Sequence, residues 1–239
     1  MIDAVNNLHS TLLDSPNWQA DHIHTLTSSQ ATGKNLIHEL IWLAQNSKPE
    51  DYVLVYLTTH GDQLRTFKGL PWDLPPKDEP DGMDEFLVMY NGFDNIFCIV
   101  WDDLLNFFLS RIKCQGLCLI VDSCYSGGFN DRPVNTGETK AAMEAYVHDF
   151  VRSLSGQNRV VLMSCQENTV SYGTDFSDTL IWGFEGYADW VFFGGNGDGI
   201  VSAEEAFWIA HDVVEFNSGG YQVPTIADYY PGEFPVTYS

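Results

Sequence analysis

Three short and almost uninterrupted apolar runs constrain the fold of this chain more than any other feature. The runs are YVLVYL at 52–57, LCLIV at 117–121 and RVVLMSC at 159–165. A strand buried on both faces of a parallel sheet has this composition, whereas a strand with one solvated face alternates apolar and polar residues. Segments with helical spacing lie between the runs. We therefore predict an α/β fold with a largely parallel central sheet and helices on both faces.

Helices and further strands can be placed around these runs. The strongest helical pattern is at 28–51, where Leu36, Leu40 and Leu43 belong to one apolar stripe. Further helical patterns occupy 3–14, 101–113, 139–154, 177–190 and 202–216. Short strands are predicted at 21–27 and 86–90, and the C-terminal stretch 222–239 lacks a regular pattern. We expect residues 1–239 to form a single domain.

The charge and hydropathy of the chain exclude several classes of function. It carries 33 Asp and Glu against 11 Lys and Arg, a formal net charge of −22. Nucleic-acid binding needs cations that neutralise phosphates, so cationic partners such as basic peptides are favoured instead. No apolar segment approaches the roughly 18–20 residues that cross a bilayer, so we expect no membrane partner. The start lacks a signal-peptide pattern, which predicts a cytoplasmic protein and leaves secretion open if the chain is truncated there.

One of the five cysteines stands in a position suited to catalysis. The cysteines have no paired spacing and do not predict a disulfide framework. Cys124 comes three residues after the run 117–121, and His60 comes three residues after the run 52–57. Sites form beyond the carboxyl ends of parallel strands, so neighbouring strands would bring this imidazole and thiol together. The alternative is that Cys124 is a small core residue and His60 an ordinary loop residue.

The stretches VLVYLTTHGDQ and LCLIVDSCYSGGF resemble motifs of the caspase-like clan of cysteine peptidases. Within that clan, they are most similar to metacaspases and prokaryotic legumain- or caspase-like peptidases. The resemblance implies a three-layer αβα sandwich with His60 as general acid/base and Cys124 as nucleophile. It also implies that the backbone amides of Gly61 and Cys124 form an oxyanion hole. The family's first strand, which precedes the first helix, is expected to be missing from this chain.

Asp122 lies two residues before Cys124, so continued strand geometry would direct both side chains to one face of the sheet. A carboxylate there opposes thiolate formation, but it suits the floor of a pocket that pairs with a substrate Arg or Lys. The equivalent position in metacaspases has this role, and Asp3 resembles a second pocket aspartate of that family. The alternative for Asp122 is a strand-end residue that caps a turn.

The stretch GGNGDGIVSAEE at 194–205 nearly fits a calcium loop. Asn196, Asp198 and Glu205 occupy ligand positions, but Gly194 stands where the first Asp belongs, so the loop is a degenerate EF-hand. The alternative is a capping box for the next helix. A second acidic stretch, DEPDGMDE at 78–85, could bind a cation, line the cleft or simply be solvated. We expect that no cofactor is required and leave calcium open.

These observations predict a cysteine endopeptidase that cleaves peptides or proteins after Arg or Lys through an acyl-enzyme. The polar, turn-rich segment 130–140 contains Arg132 and Lys140, which are candidate sites of self-cleavage. Two alternatives stay open. The first is a catalytically silent pseudopeptidase that binds or regulates partners, and the second is another Cys–His acyl transferase or hydrolase. The oligomeric state is not predicted.

Overall fold

The computed structural model describes residues 1–66, 68–75, 84–92, 95–125, 154, 156–164 and 175–238. Within these ranges the helices are α1 (Ile2–Asp14), α2 (Gly33–Asn46), α3 (Asp102–Leu109), α4 (Asp175–Phe184) and α5 (Ala203–Ser218). The strands are β1 (Tyr52–Gln63), β2 (Glu85–Val88), β3 (Ile99–Trp101), β4 (Gly116–Tyr125), β5 (Arg159–Met163), β6 (Ile200–Ser202), β7 (Thr225–Asp228) and β8 (Pro235–Tyr238). Strands alternate with helices, as the predicted α/β class requires.

The main sheet has the strand order β3-β2-β1-β4-β5-β7. Its centre is parallel, because β4 pairs with β1 on one side and with β5 on the other in parallel register. The outer pairs β1–β2, β2–β3 and β5–β7 are antiparallel. The sheet is therefore mixed. The predicted parallel arrangement is found for β1, β4 and β5, which contain the three apolar runs. Strands β6 and β8 form a separate antiparallel pair.

Alternating residues of the central strands supply two cores, one on each face of the sheet. Cys118 and Ile120 of β4 pack with residues of α1, α4 and α5, whereas Leu119 and Val121 pack with α2 and α3. All four side chains are fully buried. Helices thus cover both faces, and the predicted three-layer αβα arrangement is confirmed. The continuous apolar runs arise because a central strand must satisfy two cores at once.

Several local predictions differ from the structure because they depended on distant partners. Residues 23–27 alternate but pair with no strand in the described ranges, whereas the supposedly irregular C-terminal stretch contains β7 and β8. The helix predicted at 177–190 ends at Phe184 in the structure, and two 3₁₀ turns follow it at Tyr187–Asp189 and Val191–Phe193. None of the described helices is long and apolar enough to cross a bilayer.

The two sides of β1 are paired unequally. Along one side, residues from Tyr52 to Gly61 lie opposite β4. Along the other, β2 pairs only with residues from His60 to Gln63, and the described ranges contain no strand beside Tyr52–Thr59. This gap in the middle of the described sheet is where the resemblance led us to expect a missing strand.

Candidate active site

His60 and Cys124 lie directly opposite each other on adjacent parallel strands. The β1–β4 ladder pairs His60 with Cys124 and continues to Gly61 and Tyr125. Neighbouring strands are roughly 4.8 Å apart, so the two backbones are close enough for side chains of one face to meet. The backbone of Cys124 is described, and its side chain lies outside the described part of the structure.

The sequence placed these two residues just beyond the ends of their strands, whereas the structure includes both within strands. Strand β1 continues past its apolar run to Gln63, and β4 continues past its run to Tyr125. The extension is stabilised on the β1 side by β2, which pairs Val88 with His60 and Leu87 with Gly61. Because two ladders hold the backbone at His60, its position is fixed more firmly than a loop would allow. The next residue, Gly61, is buried between β2 and β4.

Asp122 lies on the face of β4 that packs against α4. Its Oδ2 atom accepts a hydrogen bond from the Ser177 hydroxyl, and the Tyr56 hydroxyl is 2.7 Å from the same Ser177 oxygen. Burial raises the pKa of the Asp122 carboxyl, whereas the hydrogen bond from Ser177 acts in the opposite direction. A carboxylate held in this way strongly favours a cationic partner.

Ser177 and Tyr56 are residues that the sequence reasoning missed. Ser177 is in the first turn of α4 and Tyr56 is in β1, 121 positions apart in the chain. Burial raises the pKa of Tyr56 to about 12, so this residue is a neutral phenol at physiological pH. Neither residue belongs to a recognisable local motif, and only the packing of α4 on the sheet brings them to Asp122.

Asp3, the second predicted pocket residue, is exposed in the first turn of α1. Helix α1 covers the same face of the sheet, because its buried residues Ala4 and Leu8 pack in one core with Ile120 of β4. The structure records no direct contact between Asp3 and Asp122. The predicted self-cleavage residues Arg132 and Lys140 lie outside the described residues.

The calcium-loop residues are used in hydrogen bonds of the loop itself. Asp198 Oδ1 accepts from the Ile200 amide at 2.9 Å, and Glu205 Oε1 accepts from the Asn196 amide at 2.9 Å. Glu205 also completes the capping box of α5 with Ser202. Within the described ranges, no three His, Cys, Asp or Glu side chains are grouped so that they could hold a metal ion. The capping box is therefore confirmed, and calcium binding by Asn196, Asp198 and Glu205 stays a prediction.

Buried carboxyl side chains are concentrated at the ends of β2 and β3. Asp84, Glu85 and Asp102 are all fully buried, although the sequence suggested a solvated loop and a helix cap. Phe86 lies opposite Trp101 in the antiparallel ladder, so the next position outward brings Glu85 towards Asp102. The Leu74 amide donates to Asp84 at 2.6 Å. We call Asp84, Glu85 and Asp102 the acidic group, and its members are carboxylates of the kind that hard divalent cations prefer.

A protein-family model and individual curated proteins both match this chain. Residues 2–133 match the family model of the metacaspase, peptidase C14 domain. The chain is 27% identical over 201 residues to metacaspase-1 of Candida albicans, which covers 74% of this chain and 44% of that protein. It is 31% identical over 140 residues to metacaspase-1 of Coccidioides immitis, which covers 55% of this chain and 28% of that protein. The chain therefore spans less than half the length of these curated relatives.

One solved structure is also similar. The crystal structure of a protein from Geobacter sulfurreducens superposes with a TM-score of 0.49 and 18% sequence identity. The superposition covers 90% of this chain and 82% of that one.

Proposed function

Because the chain belongs to the metacaspase family of peptidase C14 domains, we propose that it is a cysteine endopeptidase that cleaves after Arg or Lys. The observation that carries this proposal is the parallel register of β1 and β4, which sets His60 opposite Cys124 and Thr58 opposite Asp122. A nucleophile, a base and an anionic pocket residue thus come from two neighbouring strands.

The proposed reaction uses His60 as both base and acid. His60 takes the Cys124 thiol proton, and the thiolate sulfur attacks the substrate carbonyl carbon to form a C–S bond. The backbone amides of Gly61 and Cys124 donate to the developing oxyanion. The peptide C–N bond breaks as His60 gives its proton to the leaving amine. Water then hydrolyses the thioester, which releases the new carboxyl end and restores the thiol.

In this proposal, Asp122 selects the residue that precedes the cut bond. Its carboxylate lies on the same β-strand face as position 124, two residues away, and hydrogen bonds to Ser177 hold it there. A buried carboxylate gains more from a guanidinium or ammonium group than an exposed one does, because water screens the pair less. Asp3 is proposed as a second, more exposed anionic contact at the mouth of this pocket.

The proposed specificity is tested by a set of fluorogenic peptides that differ only in the residue before the cut bond. We expect hydrolysis of the Arg and Lys peptides, and at least about a hundredfold lower kcat/KM for the Gln, Leu and Asp peptides. An active-site thiol probe should label Cys124 in parallel. Labelling without peptide hydrolysis, but with turnover of an acyl ester, would instead identify an acyl hydrolase. A chain that neither cleaves nor labels would be a pseudopeptidase.

Calcium enters the proposal first through the acidic group, and the loop at 194–205 with Asn196, Asp198 and Glu205 is the alternative site. Asp84, Glu85 and Asp102 are buried and offer carboxylate oxygens, whose negative charge Ca²⁺ prefers. A bound cation would neutralise this charge and tie the start of β2 to the start of α3. Because no described group is placed to hold an ion, these side chains would have to move together around it.

Calcium is accordingly expected to raise the melting temperature by roughly 5–10 °C at a concentration about a hundredfold above its Kd. The variant Asp102→Asn should lose this response, whereas Asp198→Asn in the loop should keep it. Thermal unfolding with calcium and with EDTA measures both variants. A response lost only in Asp198→Asn would assign calcium to the loop, and no response in the unmodified protein would contradict calcium binding altogether.

A further inference from the structure

A cluster of aromatic side chains is exposed at the end of α4 that is distant from the candidate active site. Trp190 is 55% exposed and Phe192 is 87% exposed, both in or next to the 3₁₀ turn Val191–Phe193. Ser177 contacts Asp122 near the beginning of α4, and the helix continues for roughly 10 Å to Phe184. The exposed rings of Trp190 and Phe192 lie beyond that point, so they are separate from the proposed cleft.

The exposed rings belong to one connected cluster. Trp182 stacks on Tyr187 with ring centroids 4.4 Å apart, and Phe193 meets Trp182 edge-on at 5.1 Å. Trp190 is 5.4 Å from Tyr187, and Phe192 is 5.0 Å from Phe193. We call these five residues the aromatic patch. Contiguous exposed apolar surface of this kind marks interaction sites more often than isolated exposed residues do.

The backbone that presents the patch is held firmly in place. The Gly195 and Gly197 amides donate to the carbonyls of Trp190 and Asp189 at 3.1 and 2.9 Å. A Cβ atom at Gly195 would lie 2.1 Å from the Ala188 carbonyl oxygen, so only glycine permits this close approach. The buried Asp189 carboxylate accepts from the Asp198 and Gly199 amides at 3.0 and 3.1 Å. A surface that is already ordered loses little entropy when a partner binds.

The charge around the patch determines which partner it fits. All 11 Lys and Arg residues of the chain lie at or before Arg159, whereas twelve of the 33 acidic residues follow it. The patch is flanked along the chain by the exposed carboxylates of Glu185 and Asp198. A second copy of this acidic surface would be repelled, and cations are attracted both by the carboxylates and by the faces of the rings. Arginine suits this surface best, because its planar group also stacks on aromatic rings.

We propose that the aromatic patch is a docking site for an arginine-rich segment of a partner protein. This inference goes beyond the proposed peptidase function and does not depend on it, because binding at the patch requires neither His60 nor Cys124. In a peptidase that cuts after basic residues, such a site would also hold basic protein substrates while another part of the same chain enters the cleft.

The test measures binding of a fluorescein-labelled peptide of alternating Arg and Leu to Cys124→Ala protein, which cannot cut it by the proposed mechanism. A matched peptide with citrulline in place of arginine keeps the shape and removes the charge. In the Cys124→Ala background, the double variant Trp190→Ser/Phe192→Ser should weaken binding of the arginine peptide about tenfold or more by fluorescence anisotropy. Phe192→Ser alone, at the most exposed ring of the patch, should weaken it by a smaller factor.

Two control variants separate the patch from other sites. Phe216 is 86% exposed at the opposite end of the helix pair, where Asn217 contacts Asp175, and Phe216→Ser should bind normally. Asp178→Asn, which removes an exposed carboxylate in the first turn of α4, should also bind normally. Equal binding by the Trp190→Ser/Phe192→Ser variant, equal binding of the citrulline peptide, loss of binding in either control variant, or no binding at all would each overturn the proposal. Peptide hydrolysis is measured separately, so the binding result can be interpreted even if the proposed peptidase activity is not found.

Discussion

Replacing Cys124 with alanine is expected to reduce hydrolysis of Arg and Lys peptides about ten-thousand-fold or more, to the background rate. The proposed thioester cannot form without the sulfur, so neither substrate binding nor the oxyanion donors can compensate. The loss should appear in kcat, because alanine leaves the substrate pocket in place. Steady-state kinetics with a fluorogenic Arg peptide measure it, and an unchanged melting temperature shows that the fold is intact.

Matched controls make this result specific. Cys98 is a half-buried free thiol in the short 3₁₀ turn before β3, and Cys98→Ala should retain full activity. His60→Ala should lose activity to a similar extent as Cys124→Ala, and the double variant should be no worse than either single variant, because the two residues act as one unit. His38→Ala on α2 serves as the histidine control. Activity that survives in Cys124→Ala, or that disappears in Cys98→Ala, would contradict the assignment.

Asp122→Asn is expected to lower kcat/KM for Arg and Lys peptides about 10²–10³-fold. The amide keeps the size of the side chain and its contact with Ser177 but cannot neutralise a substrate cation. The kcat/KM for peptides with Gln at the same position should change little. The substitution should therefore abolish the preference for basic residues without abolishing activity. A positional-scanning peptide library on both proteins measures the change. Asp178→Asn, an exposed carboxylate one residue after Ser177, is the matched control and should keep the preference.

The pH dependence of this preference follows from the direction of the Asp122 pKa shift. The carboxylate is ionised only above its pKa, and burial raises that pKa above the ordinary value. As pH falls, kcat/KM for Arg peptides should therefore decline at a higher pH than an ordinary surface aspartate would give. The same decline should be absent in Asp122→Asn. An Asp122→Asn variant that still prefers Arg, or a pH profile that the substitution does not alter, would refute the pocket role.

The sequence allowed the core of the fold and the pairing of the candidate catalytic residues to be predicted, because both depend on local patterns. A strand buried on two faces must be continuously apolar, and equivalent positions after two such strands meet when the strands are neighbours. The contacts around Asp122 could not be predicted, since Ser177 reaches it from a helix 55 residues away. Likewise, the alternation at 21–27 predicted a strand, but a strand forms only where a neighbouring strand can pair with it.

The burial of the acidic group also could not be predicted from the sequence. Asp84, Glu85 and Asp102 look like loop and cap residues, and a local pattern gives no reason to bury them. Their positions are fixed by the antiparallel pairing of β2 with β3, which joins segments that no local signal connects. The sites that local reasoning misses in this chain are thus those made by pairing or packing between distant segments.

The absence of Lys and Arg after Arg159 has a consequence for the integrity of the protein itself. A peptidase with the proposed specificity finds no bond to cut in its own last 80 residues. Autolysis is thereby restricted to the first 159 residues, which include Arg132 and Lys140. Helices α4 and α5, the β6–β8 pair and the aromatic patch would survive as one unbroken polypeptide, so that a processed molecule keeps its docking surface whatever happens upstream. With the proposed specificity, the lack of Lys and Arg in residues 160–239 would protect this region against self-digestion.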